Sequence, residues 1–462
     1  MEKHSQRNRL LITTFTALAF LASSALGASA GTADSAFLVK ATDSDDSEIT
    51  AIVGMYPQSN DGGTVIPPDP EPTNPQGTFA FTIDSAVCAP GELDRTTWTF
   101  SGVSKGSTIT DPSGETKEFK GGQITLNQPG QWTIRGEFDS LSGRDSGVPC
   151  LRSVDQWEDT GTTGVSFAFS KAAGLESVAS PPATVSSMVG LFSNAKNFNG
   201  DISGWNTSNV TNMENMFSGA TAFNRDIGNW DTSKVTNMSY MFREATSFNQ
   251  DISNWDVSSV TSLDAMFLNA RAFNQPIGKW TTDSLESLYM TFSGASVFNQ
   301  SLNNWNTSKV TNMQSTFQGA TAFNSPIGKW DTSSVLSMRG MFLQYAFYGA
   351  GSFNQDISKW NTSKVTDMAS MFEGTAVFNQ PLDGWDVANV TDMSSMFSYT
   401  GAFDQPLSKW DTSSVEIMSS MFLYAHSFNQ DLSGWKVPNV YEYGNFAGDD
   451  GLPIEKRPVW VN

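Results

Sequence analysis

Tryptophan recurs through this chain as a metronome: Trp205, Trp230, Trp255, Trp280, Trp305, Trp330, Trp360, Trp385, Trp410 and Trp435. Every interval is 25 residues except the one from Trp330 to Trp360, which is 30. A Phe-Asn pair precedes each of them, from Phe198-Asn199 to Phe428-Asn429, with Phe403-Asp404 as the one departure. Self-similarity at a fixed period of this length predicts a solenoid, because one such unit cannot bury its own apolar face. A chain with this pattern folds by stacking.

Within a unit, Met213, Met216, Phe217 and Ala220 stand at i, i+3, i+4 and i+7, the spacing of one face of a short helix. Thr211 stands where an N-cap would, and Glu214 completes a capping box. Phe223 and Ile227 then mark a short extended piece before Trp230, and Asp231-Thr232-Ser233 makes the turn to Val235. The expected fold class is an α/β solenoid of about ten 25-residue repeats, each with a short strand and a short helix. The Phe, Trp and Met columns read as buried ladders, and the recurring Asn as an internal ladder that satisfies backbone groups of adjacent turns.

Upstream the pattern changes. Arg7 and Arg9, the uncharged run Leu10 to Leu26 and Ala28-Ser29-Ala30 read as a signal peptide over 1–30 with cleavage after Ala30. Residues 31–76 read as a mostly disordered linker, with an acidic cluster at Asp43, Asp45, Asp46 and Glu48 and a proline-rich stretch from Ile66 to Gly77. Period-2 alternation at Phe79, Phe81 and Ile83, and at Trp132 and Ile134, predicts a small β-sandwich-like domain over 77–150. A lead-in segment at 151–185, the solenoid at 186–435 and a C-terminal cap at 436–462 complete the division. The chain's two cysteines, Cys88 and Cys150, follow the signal, and in an exported protein the simplest reading joins them in one disulfide.

With these residues laid out, the repeat resembles the BspA-like leucine-rich-repeat surface protein family, in its branch with the MF…A…FN…I..W..S.VT.M unit. The resemblance spans Ser187 to Trp435 and extends upstream to Leu151–Trp157, Phe167–Leu175 and the QWTIRGEF stretch of Gln131–Phe138. The resemblance also implies an Ig- or PKD-like β domain before the repeats, although no WGDG-like turn lies between Gly77 and Phe138, and Thr291-Phe292 and Thr316-Phe317 depart from the Met-Phe signature. The resemblance implies a secreted or cell-surface location, with adhesion and matrix or host binding described for some members.

The residues supply no catalytic constellation. Beyond the leader the chain has one histidine, His426, at a variable position, so a zinc site of the usual kind cannot be assembled. The GVSKG match at Gly102–Gly106 lacks the strand–turn–helix setting of a nucleophile elbow. The Asp residues fall in two repeat columns, one after Trp (Asp231, Asp256, Asp331, Asp386, Asp411) and one after Phe-Asn (Asp201, Asp226, Asp251, Asp356, Asp431), which argues for turn capping rather than calcium or catalysis. Expected, then, is no enzyme, no cofactor and no bound metal. Loss of the leader moves the formal charge from −20 to −22, a balance that disfavours nucleic acid.

The expected function is a secreted or cell-surface protein, a monomer without a membrane span, presenting a binding surface to an extracellular protein, matrix or cell-surface ligand. The alternative is a structural or extracellular-matrix spacer without a specific ligand. Positions that vary between units, such as Ser239-Tyr240, Gln314-Ser315 and Arg339-Gly340, would tune that surface. The insertion that lengthens one unit supplies a candidate interaction patch at Tyr345, Phe347 and Tyr348.

Overall fold

A computed structural model describes residues 38–42, 48–52, 77–143, 147–344, 351–448 and 451–460. The expected signal peptide and Tyr345, Phe347 and Tyr348 lie outside the described residues. Two compact units divide the chain at Pro72. In the first, β1 (Leu38–Thr42) pairs antiparallel with β2 (Glu48–Ile52), so the stretch read from sequence as mostly disordered contains a hairpin.

The second unit begins with two sheets. One runs in the order β11-β10-β3-β8-β5-β6, comprising β3 (Thr78–Ile83), β5 (Thr108–Thr110), β6 (Thr116–Glu118), β8 (Gly130–Arg135), β10 (Leu151–Glu158) and β11 (Ser177–Val178). The other is β7-β4-β9, from β4 (Thr97–Ser101), β7 (Gly122–Thr125) and β9 (Ser140–Gly143). Alternating residues of β3, β4 and β8 meet in an aromatic core of Phe79, Phe81, Trp98, Phe100 and Ile134, all at most 2 % exposed. This sheet reaches past Cys150: β10 is hydrogen-bonded to β3 along its length, and Trp157 packs on Phe79 at 5.2 Å. Cys88 and Cys150 are joined by a disulfide, and the Arg152 guanidinium ties Asp84 to Glu176 beside it.

The repeats stack directly on this domain. A ladder of single parallel bridges starts at Ser140 of β9 and passes through Gly164, Ser187, Asn212, Asn237 and Ser262 to Glu442, one residue per unit. Three aromatic stacks run beside it. The Phe of Phe-Asn stacks from Phe198 to Phe428 with ring centroids 5.8–6.1 Å apart. The Phe of Met-Phe packs on it within the unit, as Phe217 does on Phe223 at 4.0 Å. Tryptophan rings stack in parallel, for example Trp230 on Trp255 at 6.4 Å, and all ten repeat tryptophans are at most 7 % exposed. The stacks cross the 30-residue unit at the same spacing, with Phe323 on Phe353 at 6.0 Å and Trp330 on Trp360 at 6.3 Å.

The short helices expected from the Met213–Ala220 spacing do not form; among the described residues there is no α-helix. The segment is a run of linked turns. The amides of Met216, Ser218 and Ala220 close local bonds to the carbonyls of Met213, Asn215 and Phe217, three residues back. The intervening amides of Met213, Asn215, Phe217 and Gly219 reach instead to Asn237, Ser239, Met241 and Arg243 of the next unit, at 2.7–3.0 Å. An α-helix would spend all these donors within itself. Left-handed dihedrals make the alternation possible and occur twice in most units, as at Asn215 (φ 57) and Gly219 (φ 72). Both geometries bury positions i, i+3, i+4 and i+7, so the apolar spacing could not separate them. Thr211 caps nothing; its hydroxyl and amide donate to the Ser186 carbonyl, and Glu214 accepts from Asn215 and Asn237.

Candidate interaction surface

The polar columns divide by what they do. In the Phe-Asn column, each Asn Oδ1 accepts the backbone N–H of the next unit's Asn, from Asn199–Asn224 to Asn354–Asn379, and the series continues through Asp404 to Asn429, at 2.9–3.0 Å throughout. A carboxylate accepts as well as an amide does, which explains Asp404. Lys456 ends the series by donating to the carbonyl and Oδ1 of Asn429. Each Trp from Trp230 onward donates its indole N–H to an Ile or Leu carbonyl of the preceding unit at 2.9–3.2 Å. Thr291 and Thr316, which replace Met, are fully buried and donate to Leu263 and Leu288 of the preceding unit.

Both Asp columns cap turns. Asp231 Oδ1 accepts the amide and hydroxyl of Ser233, and Asp201 does the same for Ser203. The Ser233 hydroxyl and then its amide hold the Asp231 carboxyl below its ordinary pKa, and Ser333 and Ser413 do this for Asp331 and Asp411. Asn206, Asn306 and Asn361 make the same turn bonds without a charge. Among the described residues, no three His, Cys, Asp or Glu side chains converge as a metal site. Ser104 of the GVSKG turn bonds to Ser107 and to the Glu137 amide, which commits its hydroxyl to the turn.

What the ladders leave open is the face carrying the parallel bridges. There, in four units, the residue two places after the bridge reaches the next unit's bridge position, as Glu214 does by accepting from Asn237. Asp264 accepts from Ser287, the Ser239 and Ser262 hydroxyls pair, and Arg339 spans Asp367 and Asp392 at 3.5 and 3.2 Å. Burial opposes the charge on Arg339, but these two carboxylates outweigh it and raise its pKa. Unit by unit, the pair at these positions reads Glu214-Asn215, Ser239-Tyr240, Asp264-Ala265, Tyr289-Met290, Gln314-Ser315 and Arg339-Gly340. After the insertion it becomes Ala369-Ser370, Ser394-Ser395 and Ser419-Ser420. Large side chains therefore gather in the middle units, where Tyr240, Tyr289 and Met290 are half-buried and Arg243 and Arg339 exposed. Ser239, Ser315 and Gly340, named with them from the sequence, are buried. Tyr240 and Met290 hold left-handed backbone (φ 60 and 54), an outlier for bulky residues.

A family described as "Mycoplasma protein of unknown function, DUF285" matches residues 163–277, 250–345 and 343–449. The chain belongs to this family. No curated protein matches it. Among solved structures, a leucine-rich repeat protein from Bacteroides ovatus ATCC 8483 is similar over 66 % of this chain and 83 % of its own, at 12 % identity and a TM-score of 0.34. The family's matched residues begin with the first bridged coil, at Thr163, and run through every aromatic ladder. No helix among the described residues is long and apolar enough to cross a membrane.

Proposed function

We propose that this DUF285-family chain is a non-enzymatic interaction protein of the secreted or cell-surface kind, within the BspA-like branch, whose bridge face binds an extracellular protein or matrix component. One observation carries the reading. The unit meets most of its hydrogen-bonding and packing demands with residues that recur at every turn, and the two columns that vary between units hold Tyr240, Tyr289, Met290 and Arg339 in the middle units. These residue types are enriched at binding hot spots, whereas Ser is under-represented there. A spacer without a ligand has no use for placing two bulky residues on left-handed backbone beside a tract that elsewhere holds serine.

The test replaces Tyr240, Tyr289 and Met290 together by Ser in the full chain. Retention on immobilised matrix extract is compared with that of the unaltered protein at equal loading. A drop of about ten-fold or more is expected from removing clustered anchors. Equal retention, with both proteins folded by circular dichroism, would sink the reading.

A further inference from the structure

Tyr399 and Tyr424 occupy equivalent places in consecutive units, 42 % and 48 % exposed. Their ring centroids lie 4.8 Å apart with the planes inclined at 37°, and among the described residues no other two tyrosine rings are in contact. Both residues sit on left-handed backbone (φ 57 and 58), where Gly219, Gly294, Gly319 and Gly374 stand in other units. Glycine adopts that backbone without strain and a bulky residue does not. The Tyr399 amide still donates to the Leu423 carbonyl, so the ladder holds the strain in place. An outlier repeated in two successive layers points to a use for the side chains. Two phenols in contact and open to solvent have one chemistry that separated tyrosines lack, which is oxidative coupling to each other.

We infer that Tyr399 and Tyr424 are the site of an oxidative cross-link, a dityrosine that ties two successive layers together covalently. The co-reactants are hydrogen peroxide and a peroxidase-type one-electron oxidant. Each phenol gives up one electron and its hydroxyl proton, leaving a phenoxyl radical whose spin is shared by the carbons ortho to oxygen. The radicals join through one ortho carbon of each ring, and the hydrogens on those carbons move to the oxygens as the rings become aromatic again. One C–C bond forms and two hydrogen atoms leave the pair, while one hydrogen peroxide is reduced to two waters. Holding the partners in contact removes most of the cost of bringing them together. Exposure leaves both rings room to turn edge to edge, as the new bond requires. A surface oxidant also meets these phenols first. Met393, Met396, Met418 and Met421 of the same units are fully buried, Trp410 and Trp435 are at most 5 % exposed, and the two cysteines are already joined. The position gives the bond a purpose. The first coils are laid on the β domain, whereas the ladder of bridged coils ends at Glu442, and opening of a fold begins at such ends. A bond between the two units beside that end closes a 25-residue span and lowers the entropy of the opened chain. This site is separate from the middle-unit surface and does not rest on the binding function proposed for it.

Treatment of the full chain at micromolar concentration with a plant peroxidase and hydrogen peroxide, followed by tryptic digestion and mass spectrometry, tests the proposal. Tyr399 is the single tyrosine of the tryptic peptide 365–409, and Tyr424 of 410–436. Their linkage therefore reads out as one joined pair, two hydrogen atoms lighter than the two peptides together. That pair is expected from monomeric chain, together with dityrosine fluorescence, and should exceed coupling between chains by about 100-fold or more. Tyr399→Phe and Tyr424→Phe keep the rings and remove the phenols, so each should abolish the joined pair and most of the fluorescence. Tyr240→Phe should leave both unchanged. The linked chain should also melt at a higher temperature than the unlinked one. Absence of the joined pair, coupling between chains alone, or undiminished fluorescence in the Tyr399→Phe and Tyr424→Phe variants would overturn the site. A linked chain that melts no higher would overturn its role as a staple.

Discussion

The side chains that matter most to this protein are those that recur without packing alone as their reason. Asn274 accepts the Asn299 amide and the Gln300 side-chain amide, so removing its oxygen strands donors between layers. Asn274→Ala should cost about 0.5–1.5 kcal/mol, the net worth of a typical hydrogen bond whose donor water can reach, in urea unfolding of the full chain. Asn274→Asp should cost clearly less, since Asp404 already serves in the same ladder. If the two variants are equally destabilised, the ladder is not held by acceptor oxygens. The Asn column was legible from sequence because a polar residue fixed at one place in every unit needs an internal partner. Its actual partner, the backbone N–H of the next Asn, depends on the layer geometry and was not. Asp231, Asp331 and Asp411 carry a second consequence. Their folded-state pKa values are lowered, so the stability they contribute is present above the ordinary carboxylate range and is lost as pH falls through the folded values. Replacing all three by Asn, which makes the same turn at Asn206, should flatten the acid side of a melting-temperature profile below about pH 4. An unchanged acid limb would show that other carboxylates set it.

The element that defines the unit is the linked-turn segment, and its two left-handed positions explain much of the unit's spelling. Gly294 has φ 68, and a side chain there would run into the Asn269 Oδ1. Gly294→Ala should therefore destabilise the chain by at least the ~1–2 kcal/mol of a left-handed L-residue, measured by thermal or urea unfolding. Tyr240→Gly, at a left-handed site already occupied by a bulky residue, should be neutral or stabilising. Opposite signs from these two glycine exchanges are the signature of the turn chain; a helix would be weakened by glycine at the latter site and tolerate alanine at the former. The helical spacing of Met213, Met216, Phe217 and Ala220 misled because it reports only which positions face the core. A better signal was present in Gly219, Gly294, Gly319 and Gly374, with Asn194, Asn215 and Asn269 at related places, since glycine and asparagine are the residues that tolerate a positive φ.

Across the whole second unit, one ladder of parallel bridges links β9 to Glu442, so the β domain serves as the foundation on which the coils are laid. The disulfide closes a loop across 62 positions, and β10, which carries the residues just after Cys150, is the strand that joins β3 to β11. Replacing both cysteines by Ala should reduce stability by about 4 kcal/mol on the loop-entropy estimate. That loss should appear first in the β-domain transition, read by calorimetry. Light scattering distinguishes the interaction protein from the spacer: a monomer at high concentration agrees with the former, and concentration-dependent growth with the latter. The sequence by itself determined the period, the approximate number of units and the identity of the buried columns. Each follows from composition at a fixed spacing, because stacking layers must repeat whatever they bury. Only the tertiary structure decided how the backbone runs between those columns. Whether an amide bonds three residues back or to the layer above depends on the neighbouring coil being there to accept it, and no single unit contains that information. The same holds for the surface: Tyr399 and Tyr424 are 25 residues apart in sequence and 4.8 Å apart in space only because the layers stack.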